Sequence, residues 1–564
     1  MSRGLILAEN GETDYRIVIS HNASPSEKHA ANELKHFLRS ISGADIPVVT
    51  DEEEIDEKEI LIGNSLHLEN IKDIDVDFRA LGDEGFIIKT LGDYLIIAGG
   101  RLRGTMYGIY TFLEKYLGCR WFTSKVSMIP RMDKLVIGEI DDVQVPVLEY
   151  REPFYTDAFN VDWAVRNKVN GNFAKIDENR GGRVKYYPFV HSFDELIPRE
   201  LYKTHPEYFP LIDGKRVNGY AQRCLSNPDV VRLAIKRVKE WIKKHPDAKI
   251  ISVSQNDTGK WCQCPDCRAL DESEDTPAAS IINFVNKIAE AIEKEYPDKY
   301  IDTLAYQYSR KPPKTLRPRE NVIVRLCTIE CCFSHPIETC NSIENQEFKK
   351  DIIGWSKLTD NLYVWDYVTD FAHYLMPFPN LYSLKPNLKF FIKHNIKGVF
   401  EEGNYSPGGH GEFAELRAYI LAKLLWNPDM DVDVLIDEFL EYYYSKAAKP
   451  IREYIDMIHS IVMKKNIHVH IFDPPTSSFL NDDVLEKADQ LFDEAEKMAD
   501  SEEIRLRVKV ARLPIQYVIL VTNRLERDDR KKLLDEFVTI ARKVGLTHIS
   551  ERKTLEDWIK EQIY

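Results

Sequence analysis

The amino-acid sequence predicts an α/β protein: a (β/α)₈ TIM barrel with an N-terminal α/β accessory domain and a helical C-terminal domain. Three features of the sequence support this prediction. Between residues 141 and 425, short apolar runs of strand length alternate with amphipathic helical segments, a pattern typical of parallel sheets. Many of these runs end in polar or acidic side chains, and β/α barrels present catalytic groups at that end of their strands. After residue 425 the pattern becomes almost wholly helical.

Residues 1–140 are predicted to form the accessory domain. Tyr15–Ile19 has the composition of a strand, and the Ser-Pro-Ser-Glu sequence that begins at Ser24 has the capping chemistry of a helix start. Gly85–Lys89 and Tyr94–Gly100 predict a hairpin around a Gly-Asp turn. The sequence of this domain completes no phosphate-binding motif and has no evident catalytic grouping, so we assign it no nucleotide site.

Residues 141–425 are predicted to form the catalytic barrel, and residues 426–564 the helical domain, which we expect to cover one side of the barrel. Helical segments separate most of the strand candidates, and eight candidates match the strand number of a closed barrel. The candidates are Leu148–Tyr155, Gly171–Ile176, Tyr187–His191, Ile250–Asn256, Ile301–Gln307, Val322–Ile329, Leu362–Tyr367 and Gly398–Glu402.

The length and charge of the chain argue against several classes of function. At 564 residues, the chain needs more than one core. Its net charge of −15 argues against nucleic acid or an anionic membrane as the main partner. No apolar run approaches the roughly 20 residues of a membrane span, and the N-terminal apolar run is too short for a signal-peptide core. We therefore expect a cytoplasmic protein from the sequence as it stands, or a secreted one if a leader has been removed.

Three carboxylates at predicted strand ends are the candidates for catalysis: Asp257, Glu330 and Glu402. Glycoside hydrolysis needs two carboxyl groups that flank one bond, with aromatic and amide side chains that hold the sugars. Apolar neighbours such as Ile329 and Phe333 would raise the pKa of Glu330 and suit a general acid, although a buried ion pair would give the same sequence pattern. Each of the three acids could instead cap a helix or pair with an arginine.

A second set of side chains at the same strand ends is expected to bind the substrate. Its amides and carboxylates would bind sugar hydroxyls, and its rings would stack on sugars, although the rings could equally serve barrel packing. Glu401 and Glu402 have opposite strand parity, so only one should face the barrel mouth, and we prefer Glu402 as the catalytic residue. His191 could instead be a core hydrogen-bonding group, and Asp366 could orient a neighbour. The expected substrate-binding residues are His191, Asn256, Tyr306, Tyr308, Trp365, Asp366, Tyr367, Glu401, Asn404 and Tyr405.

Cys262, Cys264 and Cys267 form a C-x-C-x₂-C pattern, a spacing compatible with zinc. A closed site of this kind would be structural and would hold the loop that follows Asp257. The alternative is three reduced thiols, because the sequence has no second C-x₂-C pair. If zinc is bound, its fourth ligand could come from Cys224, Cys327, Cys331 or Cys332.

We expect that the reaction itself requires no cofactor.

Eight stretches across the predicted barrel carry a resemblance to a known family. They are His205–Phe209, Cys224–Pro228, Ser252–Asp257, Cys262–Cys267, Asp302–Tyr306, Ile329–Phe333, Val364–Tyr367 and Gly398–Tyr405. In these stretches the chain resembles glycoside hydrolase family 163, formerly domain of unknown function 4838. The N-terminal domain looks like the accessory α/β domain that precedes the barrel in α-glucuronidases and β-hexosaminidases. The resemblance implies a retaining endo-β-N-acetylglucosaminidase that cuts the chitobiose core of complex N-glycans.

The predicted function is therefore hydrolysis of an N-glycan or a related N-acetylglucosamine-containing glycan. One carboxylic acid, Glu330 or Asp257, would protonate the glycosidic oxygen. A second carboxylate would attack the anomeric carbon, or would stabilise an oxazolinium formed by the substrate's own N-acetyl group. One alternative is an exo-acting enzyme of the α-glucuronidase type, which a basic residue inside the pocket would support. Another is a non-catalytic carbohydrate-binding barrel, whose carboxylates serve only as hydrogen-bond acceptors.

Overall fold

The computed structural model describes residues 4–563, and the chain divides into two units. The first unit comprises the chain up to Val147 together with Asp157–Arg183 and Ala418–Asn427. The second comprises Leu148–Thr156, Val184–Arg417 and the chain from Pro428 onwards. The division into three domains with boundaries at residues 140 and 425 stays a prediction.

The first unit is built on a mixed six-stranded sheet. Phe86–Leu91 and Tyr94–Gly99 form the predicted hairpin, with Gly92 at a φ of 60° in its turn. The Ser24 hydroxyl accepts a hydrogen bond from the Glu27 amide, and the Glu27 carboxylate accepts one from the Ser24 amide, which caps the first helix as the sequence predicts. Across the sheet the strands are Asp141–Gln144, Phe86–Leu91, Tyr94–Gly99, Glu59–Ile62, Arg16–Ile19 and Val48–Thr50. Two shorter pairs of strands are Leu5–Glu9 with Lys134–Ile137, and Arg120–Trp121 with Ser127–Met128. The helices of this unit include Pro25–Ser42, Gly104–Thr111 and Val161–Arg166.

The second unit contains a curled sheet of six parallel strands, which we call the part-barrel. Its strands are β1 (Tyr150–Phe154), β2 (Ile250–Ser252), β3 (Tyr300–Ala305), β4 (Val322–Cys327), β5 (Leu362–Tyr367) and β6 (Ile396–Glu402). Their order across the sheet is β1-β6-β5-β4-β3-β2. Because every neighbouring pair is parallel, the carboxyl ends of all six strands lie at one edge of the sheet.

Two of the eight predicted strands, in residues 171–176 and 187–191, do not form, so the described chain has a part-barrel where the sequence predicted a closed one. Pro188 cannot donate a hydrogen bond to a sheet, and His191 has a φ of 54°, outside the extended region. Lys175 has a φ of 31°, which interrupts an extended backbone in the other segment. Apolar composition alone did not reveal these local conformations.

A buried ion pair fills part of the interior of the part-barrel. Arg325 Nη2 lies 2.8 Å from Asp302 Oδ1, and both side chains are fully buried. The Ser252 hydroxyl donates a further hydrogen bond to Asp302 at 3.0 Å. Burial raises the pKa of Asp302 to about 6, against the opposing effect of the Arg325 charge. The Arg325 guanidinium also lies 5.0 Å from the centre of the Trp365 ring, which connects this interior pair to the strand end of β5.

Helices follow most of the part-barrel strands, and the tail is helical, as predicted. Phe371 in the loop after β5 donates a backbone hydrogen bond to Ile471 at 2.8 Å, and Tyr374 donates one to Ile549 at 2.8 Å, so two tail loops are attached to this loop.

Among the residues described, none of the helices combines the length and the apolar composition that crossing a bilayer requires. The helices between strands are Pro228–Lys244, Pro265–Glu274, Ala278–Glu293, Ile343–Trp355 and Leu381–Lys393, followed by Ala414–Trp426, which both units share. The tail comprises the helices Val432–Tyr444, Ala448–Lys465, Asp482–Met498, Glu502–Val521, Arg527–Val544 and Leu555–Ile563, with the strands His548–Ser550 and Lys553–Thr554 before the last.

Candidate active site

A cavity of about 460 Å³ opens at the edge of the part-barrel where the strands end. This volume lies within the usual range of small-molecule sites. Asp257 follows β2, Tyr306 follows β3, and Glu402 is the last residue of β6. The structure thus brings together, in one cavity, seven of the residues predicted for the site: His191, Asp257, Tyr306, Trp365, Tyr367, Glu402 and Tyr405.

Glu402 is held by the neighbouring strand. The indole Nε1 of Trp365 donates a hydrogen bond to Glu402 Oε2 at 2.7 Å. Burial raises the pKa of Glu402 to about 8; the hydrogen bond from Trp365 opposes this rise, and the charge of Glu551 adds to it. A carboxylic acid with such a pKa is protonated at neutral pH and can give a proton to a bound substrate.

Asp257 receives a hydrogen bond from a tyrosine. The Tyr306 hydroxyl donates to Asp257 Oδ1 at 2.9 Å, and Gln307 Nε2 donates to the Tyr306 oxygen at 3.0 Å. Burial, and secondly the charge of Asp257, raises the pKa of Tyr306 far above its usual value, so the phenol keeps its proton and remains a donor. This chain of hydrogen bonds orients the Asp257 carboxylate at the cavity wall.

His191 lines the cavity, and one nitrogen of its ring already forms a hydrogen bond within the protein. Its Nδ1 lies 2.7 Å from the Gln255 carbonyl oxygen, which can only accept, so Nδ1 carries a proton and donates it. Burial lowers the pKa of His191, which keeps the ring neutral at neutral pH. The Nε2 atom of this tautomer is then an acceptor, suited to a sugar hydroxyl.

Aromatic side chains form much of the remaining wall. The Trp365 and Tyr367 rings stack with centres 6.4 Å apart, and the Tyr405 hydroxyl donates to Glu551 Oε1 at 2.9 Å. Phe472 also lines the cavity, although this residue is 61% exposed. Exposed and half-buried rings beside polar groups are surfaces on which the apolar face of a sugar can lie.

Glu330 does not line the cavity, and its environment differs from the apolar one expected. Its carboxylate forms an ion pair with Arg310, with 2.8 Å between Oε2 and Nη1, and its side chain is 37% exposed. Arg310 also pairs with Asp351 at 2.8 Å. The ion pair and the partial exposure to solvent differ from the apolar surroundings that the sequence predicted for Glu330.

Glu401 and Asp366 lie in the adjacent strands β6 and β5 but do not line the cavity. They are partners in the sheet register, and both are buried. Burial, and secondly the charge of Asp366, raises the pKa of Glu401. Burial likewise raises the pKa of Asp366 to about 6, against a hydrogen bond from the Thr328 hydroxyl at 2.5 Å. Because side chains alternate along a strand, Glu402 reaches the cavity and Glu401 the opposite, buried face.

Three further predicted binding residues are used in local structure. Asn256 is buried, and its Nδ2 donates to Asp194 Oδ1 at 2.6 Å. The Tyr308 ring stacks on the Trp261 ring with centres 4.8 Å apart. Asn404 is buried, and its Oδ1 accepts a hydrogen bond at 3.0 Å from the backbone two residues later, which stabilises its own turn.

The tail contributes cavity residues that sequence analysis missed. Glu551 and Arg552 lie between the paired strands His548–Ser550 and Lys553–Thr554, and no sequence pattern identifies what such a hairpin contacts. An aromatic residue directly before Asp-Pro-Pro, in a segment between two predicted helices, was a usable signal for Phe472. The lining residues that were not predicted for the site are Val190, Leu304, Gln307, Cys327, Ile329, Phe371, Ile471, Phe472, Glu551 and Arg552.

Four buried cysteines form a separate cluster, in which Cys224 joins Cys262, Cys264 and Cys267 with all sulfur atoms within 4.8 Å of one another. The Sγ atoms of Cys224 and Cys264 are 3.7 Å apart, close to the roughly 3.8 Å between two sulfurs bound to tetrahedral zinc at about 2.3 Å. The Leu211 amide donates to Cys262 Sγ at 3.3 Å, a contact that suits a thiolate. The donor set and spacing therefore fit zinc.

The fold and the cavity define an α/β protein with a parallel part-barrel and a cavity at the carboxyl ends of its strands. The chain belongs to the family described as domain of unknown function DUF4838, whose model matches residues 121–456, more than half of the sequence. Residues 8–112 match the model described as glycosyl hydrolase family 67 N-terminus. Comparison with curated proteins gives no match.

The solved structure of a family GH115 α-glucuronidase shares the fold of this chain, and two further structures align with it at lower TM-scores. BtGH115A, a family GH115 4-O-methyl-α-glucuronidase with specificity for decorated arabinogalactans, has a TM-score of 0.57 at 14% identity, over 99% of this chain and 78% of its own. CpGH84D has a TM-score of 0.49 at 11% identity, over 97% of this chain and 91% of its own. The Flavobacterium johnsoniae chitobiase FjGH20 has a TM-score of 0.45 at 12% identity, over 96% and 97%.

Proposed function

We propose that the chain is a glycoside hydrolase that cuts a neutral, N-acetylglucosamine-containing glycan, with the retaining endo-β-N-acetylglucosaminidase activity of glycoside hydrolase family 163. The observation that carries the proposal is a single cavity lined by Glu402, an acid with a pKa of about 8, and Asp257, oriented by Tyr306. Glycosidases use two carboxyl groups that flank one bond, and one of them acts as a protonated general acid. The match to the glycosyl hydrolase family 67 N-terminus supports the class.

In the proposed mechanism Glu402 is the general acid. Its proton passes to the glycosidic oxygen as that oxygen leaves the anomeric carbon, and the Trp365 N–H stabilises the resulting Glu402 carboxylate. The carboxylate then takes a proton from the attacking water, which restores the acid. Glu402 replaces Glu330 in this role because Glu330 is paired with Arg310 and does not line the cavity, and Asp257 takes the role of the second carboxylate.

Asp257 is the proposed second carboxylate. Its oxygen attacks the anomeric carbon to form a glycosyl–enzyme ester, or it holds the substrate's N-acetyl group while the carbonyl oxygen of that group attacks instead. In both versions water displaces the intermediate from the opposite side, so the anomeric configuration is retained. The hydrogen bond from Tyr306 orients Asp257 for either version.

The charges around the cavity favour a neutral sugar. Apart from Glu402, which is protonated at neutral pH, the acids Asp257 and Glu551 line it, and Arg552 is the one lysine or arginine among the described lining residues. The Arg552 side chain is 89% exposed, and its Nε lies 3.9 Å from Glu551 Oε2. An anionic sugar would therefore meet a mostly acidic wall, which disfavours its binding.

An exo-acting α-glucuronidase-like activity is the second candidate, because Arg552 supplies a cation at the cavity that could pair with a uronate. The third candidate, a carbohydrate-binding barrel without catalysis, would use the same carboxylates only as acceptors. The acidic lining and the raised pKa of Glu402 favour the first candidate over both.

The experiment that separates these candidates is a screen of the full chain against an aryl β-N-acetylglucosaminide, an aryl α-glucuronide and an N-glycosylated protein, with the products identified by mass. We expect release of the glycan from the glycoprotein, with a single N-acetylglucosamine left on each asparagine, and no release by Glu402→Gln. Release of glucuronate would support the second candidate instead. Saturable glycan binding without any product would support the third.

We also propose that Cys224, Cys262, Cys264 and Cys267 hold a structural zinc ion. Cys262 and Cys264 lie between Asp257 and the helix Pro265–Glu274, and Cys267 lies in the first turn of that helix, so the ion would fix the loop that follows the proposed second carboxylate.

A further inference from the structure

A second cluster of metal-binding side chains lies in the same unit: Cys332, His335, Cys340 and His468, whose ligand atoms are all within 4.8 Å of one another. We infer that these four residues form a second structural zinc site, with two sulfur and two nitrogen ligands. None of them belongs to the cluster of Cys224 or lines the candidate active-site cavity. The inference therefore does not depend on the proposed function.

The distances within the cluster match a tetrahedral metal site. Cys332 Sγ lies 3.4 Å from His335 Nδ1 and 3.3 Å from His468 Nδ1, and Cys340 Sγ lies 3.6 Å from His468 Nδ1. For zinc bonded to sulfur at about 2.3 Å and to nitrogen at about 2.0 Å, tetrahedral angles give a sulfur–nitrogen separation of roughly 3.5 Å. All three distances lie close to that value.

The donor types favour zinc over other common cations. Two thiols and two imidazoles form the Cys₂His₂ set of structural zinc sites, whereas calcium and magnesium prefer oxygen ligands. Cys332, His335 and Cys340 are buried, and His468 is partly buried, so the site is closed in the manner of a structural rather than a catalytic metal.

Hydrogen bonds outside the cluster position its ligands. The Asn345 side chain accepts from the Cys332 amide at 2.7 Å and donates to the Cys332 carbonyl at 3.0 Å. The Ser334 hydroxyl donates to the Ile467 carbonyl at 2.8 Å and accepts from the Val469 amide at 3.2 Å. The Ser334 contacts attach the loop after β4 to the tail segment that carries the fourth ligand, and supporting contacts of both kinds are typical of built metal sites.

The site would stabilise one wall of the cavity. His468 precedes the cavity residues Ile471 and Phe472 by three and four positions. A zinc ion shared between His468 and the loop of Cys332 and Cys340 would hold this tail segment against the strand ends. Metal binding at the second cluster is thereby linked to the shape of the cavity rather than to its chemistry.

Metal content of the purified full chain tests the inference directly. The chain is loaded with zinc, freed of excess metal by gel filtration and measured by elemental mass spectrometry, beside the variants His468→Asn, Cys340→Ser and the matched control Cys262→Ser. We expect about two zinc ions per wild-type chain and about one in each variant. In the Cys262→Ser and His468→Asn double variant we expect none.

The coordination shell of the wild-type zinc, measured by X-ray absorption, gives a readout that does not require any variant to fold. A Cys₄ and a Cys₂His₂ site together give an average of about three sulfurs and one nitrogen per zinc. A shell of sulfur alone would overturn the second site. Unchanged zinc content in folded His468→Asn, or a disulfide that consumes the thiols of Cys332 and Cys340 in the zinc-loaded chain, would also overturn it.

Discussion

The indole nitrogen of Trp365 donates a hydrogen bond to Glu402 across adjacent strands, with 2.7 Å between Nε1 and Oε2. In the register of β5 and β6, Trp365 is opposite Phe400, two residues before Glu402, so the two side chains lie on the same face of the sheet. Burial favours the neutral form of Glu402, and the indole favours the ionised form. Trp365 therefore limits how far the pKa of Glu402 rises.

Replacing Glu402 by glutamine should abolish the transfer of a proton to the leaving group. We expect kcat on a glycoprotein substrate to fall by roughly 10²–10⁴-fold. An aryl glycoside with an acidic phenol leaving group needs less protonation, so its kcat should fall much less. Steady-state kinetics on both substrates measure the difference.

Glu330→Gln is the control for this substitution, because Glu330 lies outside the cavity in an ion pair with Arg310. We expect it to keep most of the wild-type kcat. If Glu330→Gln lost activity on the glycoprotein while Glu402→Gln kept it, the acid would be Glu330 and the assignment made here would be wrong.

The wild-type pH profile should fall on its alkaline side near the pKa of Glu402. This pKa is raised to about 8, so Glu402 is protonated below that pH and loses its proton above it. As the acid form is the active one, kcat/KM should decrease by about tenfold per pH unit above pH 8. A profile that is flat up to pH 10, with the chain still folded by circular dichroism, would contradict the role of Glu402.

Trp365→Phe should move the alkaline limb of that profile upward. Phenylalanine keeps an aromatic ring at the cavity but removes the N–H donor, and the hydrogen bond from Trp365 lowers the pKa of Glu402. Without this hydrogen bond, less opposes the effect of burial on the pKa of Glu402. This pKa should therefore rise above about 8, and activity should persist to higher pH. A purely structural role for Trp365 would lower activity at every pH without moving the limb.

The carboxylates at the strand ends were predictable, because parallel strands converge at their carboxyl ends whatever lies between them. Asp257 and Glu402 are far apart in sequence, yet strand length and alternation were enough to expect both at the cavity. The environment of Glu330 was not predictable in the same way. Its partner Arg310 lies on a different loop, and hydrophobic neighbours in sequence did not predict the ion pair in space.

The closure of the barrel and the contribution of the tail were beyond sequence analysis for a related reason. Pro188 and the positive φ of His191 end a run that had strand composition. Glu551 enters the cavity from a short hairpin in the tail, and its contact with Tyr405 joins residues 146 positions apart. Periodicity reports which face of an element is buried, but it does not report which distant element covers that face.

Tyr306→Phe should weaken catalysis without unfolding the chain. The substitution keeps the buried ring and removes the hydroxyl that donates to Asp257 at 2.9 Å. A hydrogen bond to a charged group contributes about 1.5–3 kcal/mol, so kcat/KM should fall by roughly ten- to hundredfold. Tyr308→Phe is the matched control, because Tyr308 stacks on Trp261 away from the cavity. Equal losses in the two variants would show that the effect is not specific to the Asp257 contact.

Phe472→Ala should weaken binding of a long glycan while leaving the chemical step intact. Phe472 lines the cavity from the tail and is 61% exposed as a residue, so removal of its ring leaves little unfilled space and should change the melting temperature very little. A sugar that lies on this ring would lose apolar contact in both the bound state and the transition state, which raises KM and leaves kcat nearly unchanged. We expect a severalfold increase in KM for the glycoprotein and almost none for an aryl monosaccharide, which is too short to occupy the cavity and the exposed ring together. Equal increases for both substrates would mean that Phe472 contacts the first sugar, and a loss of kcat in both would mean that it holds the catalytic residues in place.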